Sequence, residues 1–232
     1  MNDLPQELVD RVIDLCDDKE MSVCGLVCRR WARRSRGRLF TALTVHAQSL
    51  PHIVDIVDTS SFPILSFVRE LTLTVVPALL DDALLARLHP CPNLRTIRIT
   101  GTERHVGIDP SITTELDALQ PHLRSWAVDS SSITRLDLVL STPKISLQTV
   151  MNAVSCLPGL SELHMEGFAT HQPSPPPSIR LAPLRALFVR SCDPVFFSWV
   201  LTLPSVLLFH HLTVGPFMSP SEKSVELYGM IC

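Results

Sequence analysis

Glycine is scarce in this chain, with 8 residues in 232, and aromatic side chains make up only 6% of it. Few glycines leave little material for phosphate-cradling loops, and no Walker loop, G-x-S-x-G elbow or H-E-x-x-H pair occurs. Charged residues are 19% and the formal net charge is −3, which excludes a chain-wide polycation. A secretory signal needs a basic start and then an apolar run. The first twenty residues instead carry Asp3, Glu7, Asp10, Asp14, Asp17, Asp18 and Glu20. The most apolar stretch, Val195 to Leu208, is interrupted by Pro204 and is too short to span a bilayer, so a core helix followed by a strand is expected there. No C-x-x-C occurs, and seven irregularly spaced cysteines fit an intracellular chain with reduced thiols, cytoplasmic and/or nuclear. Cys232 is the last residue rather than the fourth from last, so it is not in a prenylation box.

Hydrophobic residues are plentiful at 46%, enough for a sizeable core. Residues 4–40 read as a small helical unit. Pro5 suits a first turn, and Glu7 sets an acid near the positive end of that helix. Leu8, Val12, Ile13, Leu15 and Cys16 then recur at helical spacing. The polar run Asp17-Asp18-Lys19-Glu20 interrupts them. Met21, Cys24, Val27, Cys28 and Trp31 follow on one side of a second stretch, which passes into an arginine-rich segment closing at Leu39-Phe40. A unit this small is marginal alone.

Beyond residue 40 an apolar-x-x-apolar-x-apolar pattern recurs. Its middle positions are Leu43, Leu71, Ile97, Trp126, Leu136, Leu163, Leu187 and Leu212. Most steps are 24 to 29 residues, and the step of ten from Trp126 to Leu136 reads as an extra strand. A period in the twenties is the leucine-rich-repeat range. Helices are expected between strands: Leu79 to Leu88, Leu147 to Leu157 capped by Ser146, and Val195 to Leu203 after Asp193-Pro194. Only Leu184 to Cys192 completes the longer repeat signature, so the array is read as irregular. His171 to Ser178, with Pro173, Pro175, Pro176 and Pro177, is expected to be a loop inserted between repeats. The tail ending Ser219-Pro220-Ser221-Glu222-Lys223-Ser224 and beyond shows no polar capping repeat, so a truncated or disordered end is expected.

The first unit resembles an F-box. The matching residues are Leu4-Pro5-Gln6-Glu7-Leu8, Val12-Ile13-Asp14-Leu15 and Leu26-Val27-Cys28-Arg29-Arg30-Trp31. The closing Arg34-Ser35-Arg36 and Leu39-Phe40 are similar to the form common in fungi. The repeats resemble the irregular leucine-rich arrays that often follow an F-box. The fold class implied is α/β: a three-helix F-box at 1–41, a leucine-rich-repeat-like solenoid of short parallel strands backed by helices at 42–215, and a tail at 216–232. The resemblance implies a non-catalytic substrate-recognition subunit of a Skp–cullin–F-box ubiquitin ligase. It would bind the Skp adaptor, and through it a cullin–RING ligase, and capture a protein substrate for degradation. Adaptor contact is assigned to Leu4, Pro5, Leu8, Ile13, Val27 and Trp31, more apolar surface than so small a unit can hide. The alternative is a repeat-based protein-binding scaffold without a ligase role.

Side chains alternate across a strand. The neighbours of the apolar positions are therefore expected on one open polar strip: Glu70 and Thr72, Thr96 and Arg98, Arg135 and Asp137, Glu162 and His164, Phe188 and Arg190. Arg98, Arg135, Phe188 and Arg190 are the residue types that most often dominate binding; either they anchor an acidic or phosphorylated segment of the substrate, or the strip is merely solvated, and the sequence favours neither. Arg29, Arg30, Arg33, Arg34, Arg36 and Arg38 could form a nucleic-acid patch, but no aromatic platform accompanies them. A solvated face partly neutralised by the acidic first helix is the favoured reading, and nucleic acid is not an expected partner. Cys24 with Cys28, and His210 with His211, do not complete a metal-ligand set. Asp81-Asp82 reads as a helix start. No cofactor, metal or membrane partner is expected.

Overall fold

The structure is a computed structural model. It describes residues 4–75, 81–101, 111–129, 132–139, 147–167, 184–190 and 211–214. The expected helix from Val195 to Leu203, the proline-rich loop and the tail at 216–232 lie outside the described residues, as does the Ser146 cap.

Three helices open the chain: α1 (Gln6–Leu15), α2 (Asp18–Val27) and α3 (Arg29–Leu39). Pro5 precedes α1 as its cap residue, and its carbonyl accepts from the Leu8 and Val9 amides at 3.1 and 3.2 Å. The polar run after α1 is a capping box. The Asp17 carboxylate accepts from the Glu20 amide at 2.8 Å, and the Glu20 carboxylate accepts from the Asp17 amide at 3.0 Å. Among the described residues of this unit, only Val9, Ile13 and Met21 are fully buried apolar ones, with Cys16, Cys24, Trp31 and Leu39 packed partly against them.

The chain passes from α3 into a sheet of seven parallel strands whose spatial order is their sequence order. The strands are β1 (Ala42–His46), β2 (Glu70–Val75), β3 (Thr96–Gly101), β4 (Arg135–Val139), β5 (Glu162–Glu166), β6 (Ala186–Arg190) and β7 (His211–Val214). Parallel neighbours need crossover connections. Four of these carry described helices: α4 (Leu50–Thr59) with a short 3-10 turn (Ile64–Ser66), α5 (Asp82–Ala86), α6 (Ser111–Asp129) and α7 (Leu147–Ser155). Asp81 caps α5, accepting from the Ala83 and Leu84 amides at 2.8 and 3.2 Å, so the expected helix begins there. After β5, Gly167 takes φ 83°, a left-handed turn that favours glycine.

The register aligns the repeat positions. Leu43, Leu71, Ile97, Leu136, Leu163, Leu187 and Leu212 are successive Cα partners across the sheet. Leu71, Ile97, Leu136, Leu163 and Leu187 all lie in one buried cluster. Helix residues Leu50, Val54, Leu85, Leu123, Trp126, Met151 and Val154 complete that cluster. One face of the sheet is thus the core, and the alternate residues form the other face.

The pattern at Leu123 to Val128 is not an extra strand. It is the last part of α6. Leu116, Leu119, Leu123 and Trp126 are buried at helical spacing, while Val128 is 84% exposed. An apolar-x-x-apolar pair fits an α-helix face as well as a repeat, and here the longer helical stripe decides. The Trp126 indole N–H donates to the Leu88 carbonyl at 3.2 Å, tying α6 beneath the α5–β3 connection.

Candidate functional site

Two surfaces bring together the side chains that the sequence singles out. The first is the apolar side of the N-terminal unit. Because α1 turns Val9 and Ile13 inward, its remaining apolar residues face solvent: Leu8 at 46%, Val12 at 44% and Leu15 at 87% exposure. Leu4, Val23, Leu26 and Val27 are exposed as well. Seven of the nine large hydrophobics exposed among the described residues therefore fall within residues 4–27. Such density on so short a segment exceeds the scattered single exposures usual on a monomer's surface.

The expected contact set divides on this geometry. Leu4, Pro5, Leu8 and Val27 are exposed. Ile13 is fully buried with Val9 and Met21 in the unit's own core. Trp31 is half-buried against the unit's own core. Leu15 and Leu26, outside the expected set, are the two most exposed apolar side chains here. Their exposure follows from which stripe of α1 and α2 faces α3, and periodicity alone left that choice open. The Cys16 and Cys24 sulfurs lie 3.9 Å apart on this unit. Partial burial, with the neighbouring Cys24 thiol, pushes the Cys16 thiol above its ordinary range and keeps it protonated.

The second surface is the open face of the sheet. The row Thr72, Arg98, Asp137, His164 and Phe188 crosses it in register. A parallel row holds Glu70, Thr96, Arg135, Glu162 and Ala186, and a third holds Thr74, Thr100, Val139, Glu166 and Arg190. The expected level for β6 is thus two residues too far along: Ala186, not Phe188, completes the row of Arg135, and Phe188, not Arg190, completes the row of Asp137. Arg98, Arg135, Phe188 and Arg190 do line one cleft of about 540 Å³, together with Asp137, His164 and Glu166.

Asp137 is the hub of that cleft and is 2% exposed. Arg98 donates to its Oδ2 from Nε at 3.0 Å and from Nη2 at 2.8 Å. Arg135 donates from Nε to Oδ1 at 2.8 Å and from Nη2 to Oδ2 at 3.2 Å. Burial pushes the Asp137 carboxyl upward, but the hydrogen bonds from Arg135 and Arg98 outweigh it and hold the group below the ordinary carboxylate range. The His164 ring stacks on Phe188 with centroids 4.0 Å apart. Burial, followed by the Arg135 charge, lowers the His164 pKa, and its buried Nε2 has no hydrogen-bond partner among the described residues.

These pairings change what the face offers. Arg190 stands 3.7 Å from Glu166, and Arg135 reaches Glu162 at 4.0 Å. The arginines expected to receive an acidic segment are already matched by carboxylates of the same face. What the cleft presents is a charge-balanced surface with a His164–Phe188 stack. Neither Asp137 nor His164 was among the expected anchors. Each sits between two leucine-class neighbours in sequence, and only the in-register stacking of three strands makes them a hub.

A further polar chain joins α5 and α6. The Ser125 hydroxyl lies 3.0 Å from His89 Nδ1, His89 Nε2 lies 2.9 Å from His122 Nδ1, and His122 Nε2 lies 3.2 Å from Asp82. Among the described residues no group of three or more metal-ligating side chains is placed to hold an ion, and no helix is long and apolar enough to cross a membrane.

Residues 1–42 match the F-box domain family. No curated protein matches the chain.

Proposed function

We propose, from the F-box domain at residues 1–42, that this chain is the substrate-recognition subunit of a Skp–cullin–F-box ubiquitin ligase. F-box domains are adaptor-docking modules of such ligases, generally without catalysis of their own. The observation that carries the reading is the run of exposed Leu4, Leu8, Val12, Leu15, Val23, Leu26 and Val27 on that domain. Buried against an adaptor, each large side chain is worth roughly 1.5–3 kcal/mol. The unit's own core of Val9, Ile13 and Met21 is too small to stand without a partner or the following sheet.

We read residues 42–215 as an irregular leucine-rich-repeat-like array of the kind that follows many F-boxes, with a tail at 216–232 and with a fungal-type F-box at 1–41 whose last helix is α3. Support comes from the strict strand order and from the aligned Leu71, Ile97, Leu136, Leu163 and Leu187. All-parallel sheets are usually covered on both faces. Here the face carrying Arg98, Arg135, Phe188 and Arg190 is half-exposed, which suits it to hold a protein substrate for ubiquitin transfer in the cytosol or nucleus. Holding a substrate lysine near the ubiquitin-loaded enzyme raises its effective concentration, and the receptor needs no catalytic group.

Co-expression with the Skp adaptor tests the reading. The expected result is a stable complex, lost in a Leu8→Glu, Leu15→Glu variant whose sheet remains folded by circular dichroism. Capture of other proteins without adaptor binding would identify a scaffold outside the ligase and overturn the proposal.

A further inference from the structure

The arginine cluster of α3 is not uniformly neutralised, and the two halves of it differ in a way that points to a ligand. One row, Arg30, Arg34 and Arg38, is satisfied by α1. Arg30 donates to the Gln6 side chain. Arg34 reaches both Asp14 carboxylate oxygens at 3.0 Å. Arg38 stands 3.7 Å from Asp14 and donates to the Ile13 carbonyl at 2.7 Å. The second row, Arg29 and Arg33, has no ion pair among the described residues, and neither has Arg69 at the entry to β2. All six arginines line one open groove of about 920 Å³, with only Asp10 and Asp14 as acids. Gly37, Thr41 and Phe67 line it too. A Cβ on Gly37 would stand 3.0 Å from the Phe67 ring, so glycine is what lets α3 close on the sheet here.

This arrangement costs stability in the free chain. Like charges at i,i+4 repel, as Arg29 and Arg33 do. Arg29 and Arg30 also sit in the first turn of α3, where the helix dipole favours anions. A chain of net charge −3 has carboxylates elsewhere and places none of them here beyond Asp10 and Asp14. A local conflict of this kind is expected where a ligand resolves it.

We infer that this groove is a binding site for a phosphorylated peptide segment, with Arg29, Arg33 and Arg69 as its phosphate ligands. Guanidinium groups match phosphate oxygens in bidentate fashion, and the unpaired first-turn amides of α3 add to the positive field. A compact dianion fits better than a nucleic-acid strand. The basic region is confined to one groove, its rim carries Asp10 and Asp14, and the remainder of the chain is net negative. The groove shares no lining residue with the exposed apolar set of α1 and α2 or with the Asp137 cleft, so variants of Arg29, Arg33 and Arg69 test it without altering either.

The test uses the full chain, in complex with the adaptor if that is how it purifies. Fluorescence anisotropy at low salt compares a labelled peptide bearing two phosphothreonines, its unphosphorylated twin and labelled oligothymidine. The phosphopeptide is expected to bind at least about tenfold more tightly than its twin, and to weaken as salt rises. An Arg29→Gln, Arg33→Gln, Arg69→Gln variant is expected to lose at least about tenfold in that affinity. Glutamine keeps the helix propensity at positions 29 and 33, and these three side chains have no ion pair among the described residues to lose. Arg124→Gln, an exposed change outside the groove, is expected to leave the affinity unchanged. Equal binding of both peptides, tighter binding of oligothymidine, or retained affinity in the triple variant would each overturn the assignment.

Discussion

Arg98 reaches across one strand spacing and gives Asp137 Oδ2 two hydrogen bonds, at 3.0 Å from Nε and 2.8 Å from Nη2. With Arg135 on the same carboxylate, a buried anion on the sheet is held by two half-exposed cations. The two sides of this contact are therefore unequal. Asp137→Ala frees arginines that can turn to water, at a cost of about 1–3 kcal/mol. Arg98→Ala with Arg135→Ala strands a buried carboxylate, and is expected to cost more, about 3–5 kcal/mol. Urea denaturation of the two variants checks the order, and equal losses would contradict it.

Stability should fall with acid in two stages. The folded pKa of His164 is depressed, so the unfolded chain binds the proton more readily and stability declines as pH drops below about 6.5. The folded pKa of Asp137 is also depressed, so its contribution is present above about pH 3.9 and is lost as pH falls through its lower folded value. Thermal melts across pH should show the upper stage vanish in His164→Gln while the lower one remains.

On the N-terminal unit, Leu15 and Ile13 are two residues apart and should behave oppositely. Leu15→Ala, at an 87% exposed site, is expected to change stability by no more than about 0.5 kcal/mol while weakening adaptor capture. Ile13→Ala removes a fully buried side chain and is expected to cost about 2–5 kcal/mol. Pull-down and thermal melting on both variants separate surface from core.

Trp126 is fully buried and hydrogen-bonded to the Leu88 carbonyl. Trp126→Ala should cost about 3–5 kcal/mol. Trp126→Phe keeps most of the packing and loses the N–H donor, while the Leu88 carbonyl still accepts from the Cys91 thiol at 3.1 Å, so a smaller loss of about 0.5–1.5 kcal/mol is expected. Denaturant midpoints of the pair check the ranking.

The alternation of apolar and polar residues was enough to place Leu71, Ile97, Leu136, Leu163 and Leu187 on one buried face, because a strand has only two faces and the core takes the apolar one. It was also enough to mark residues 4–40 as helical, since the capping and spacing signals there are local. It did not separate Trp126 from the strand positions, because apolar-x-x-apolar fits both periods until a longer stripe is seen. Nor did it tell that Ile13 turns inward while Leu15 turns outward, which is decided by where α3 packs. Asp137, His164 and the unmatched Arg29, Arg33 and Arg69 could be named as residues but not as partners. Charges on separate strands and helices meet only through register and packing, and those long-range contacts decide which side chains are neutralised and which remain to bind.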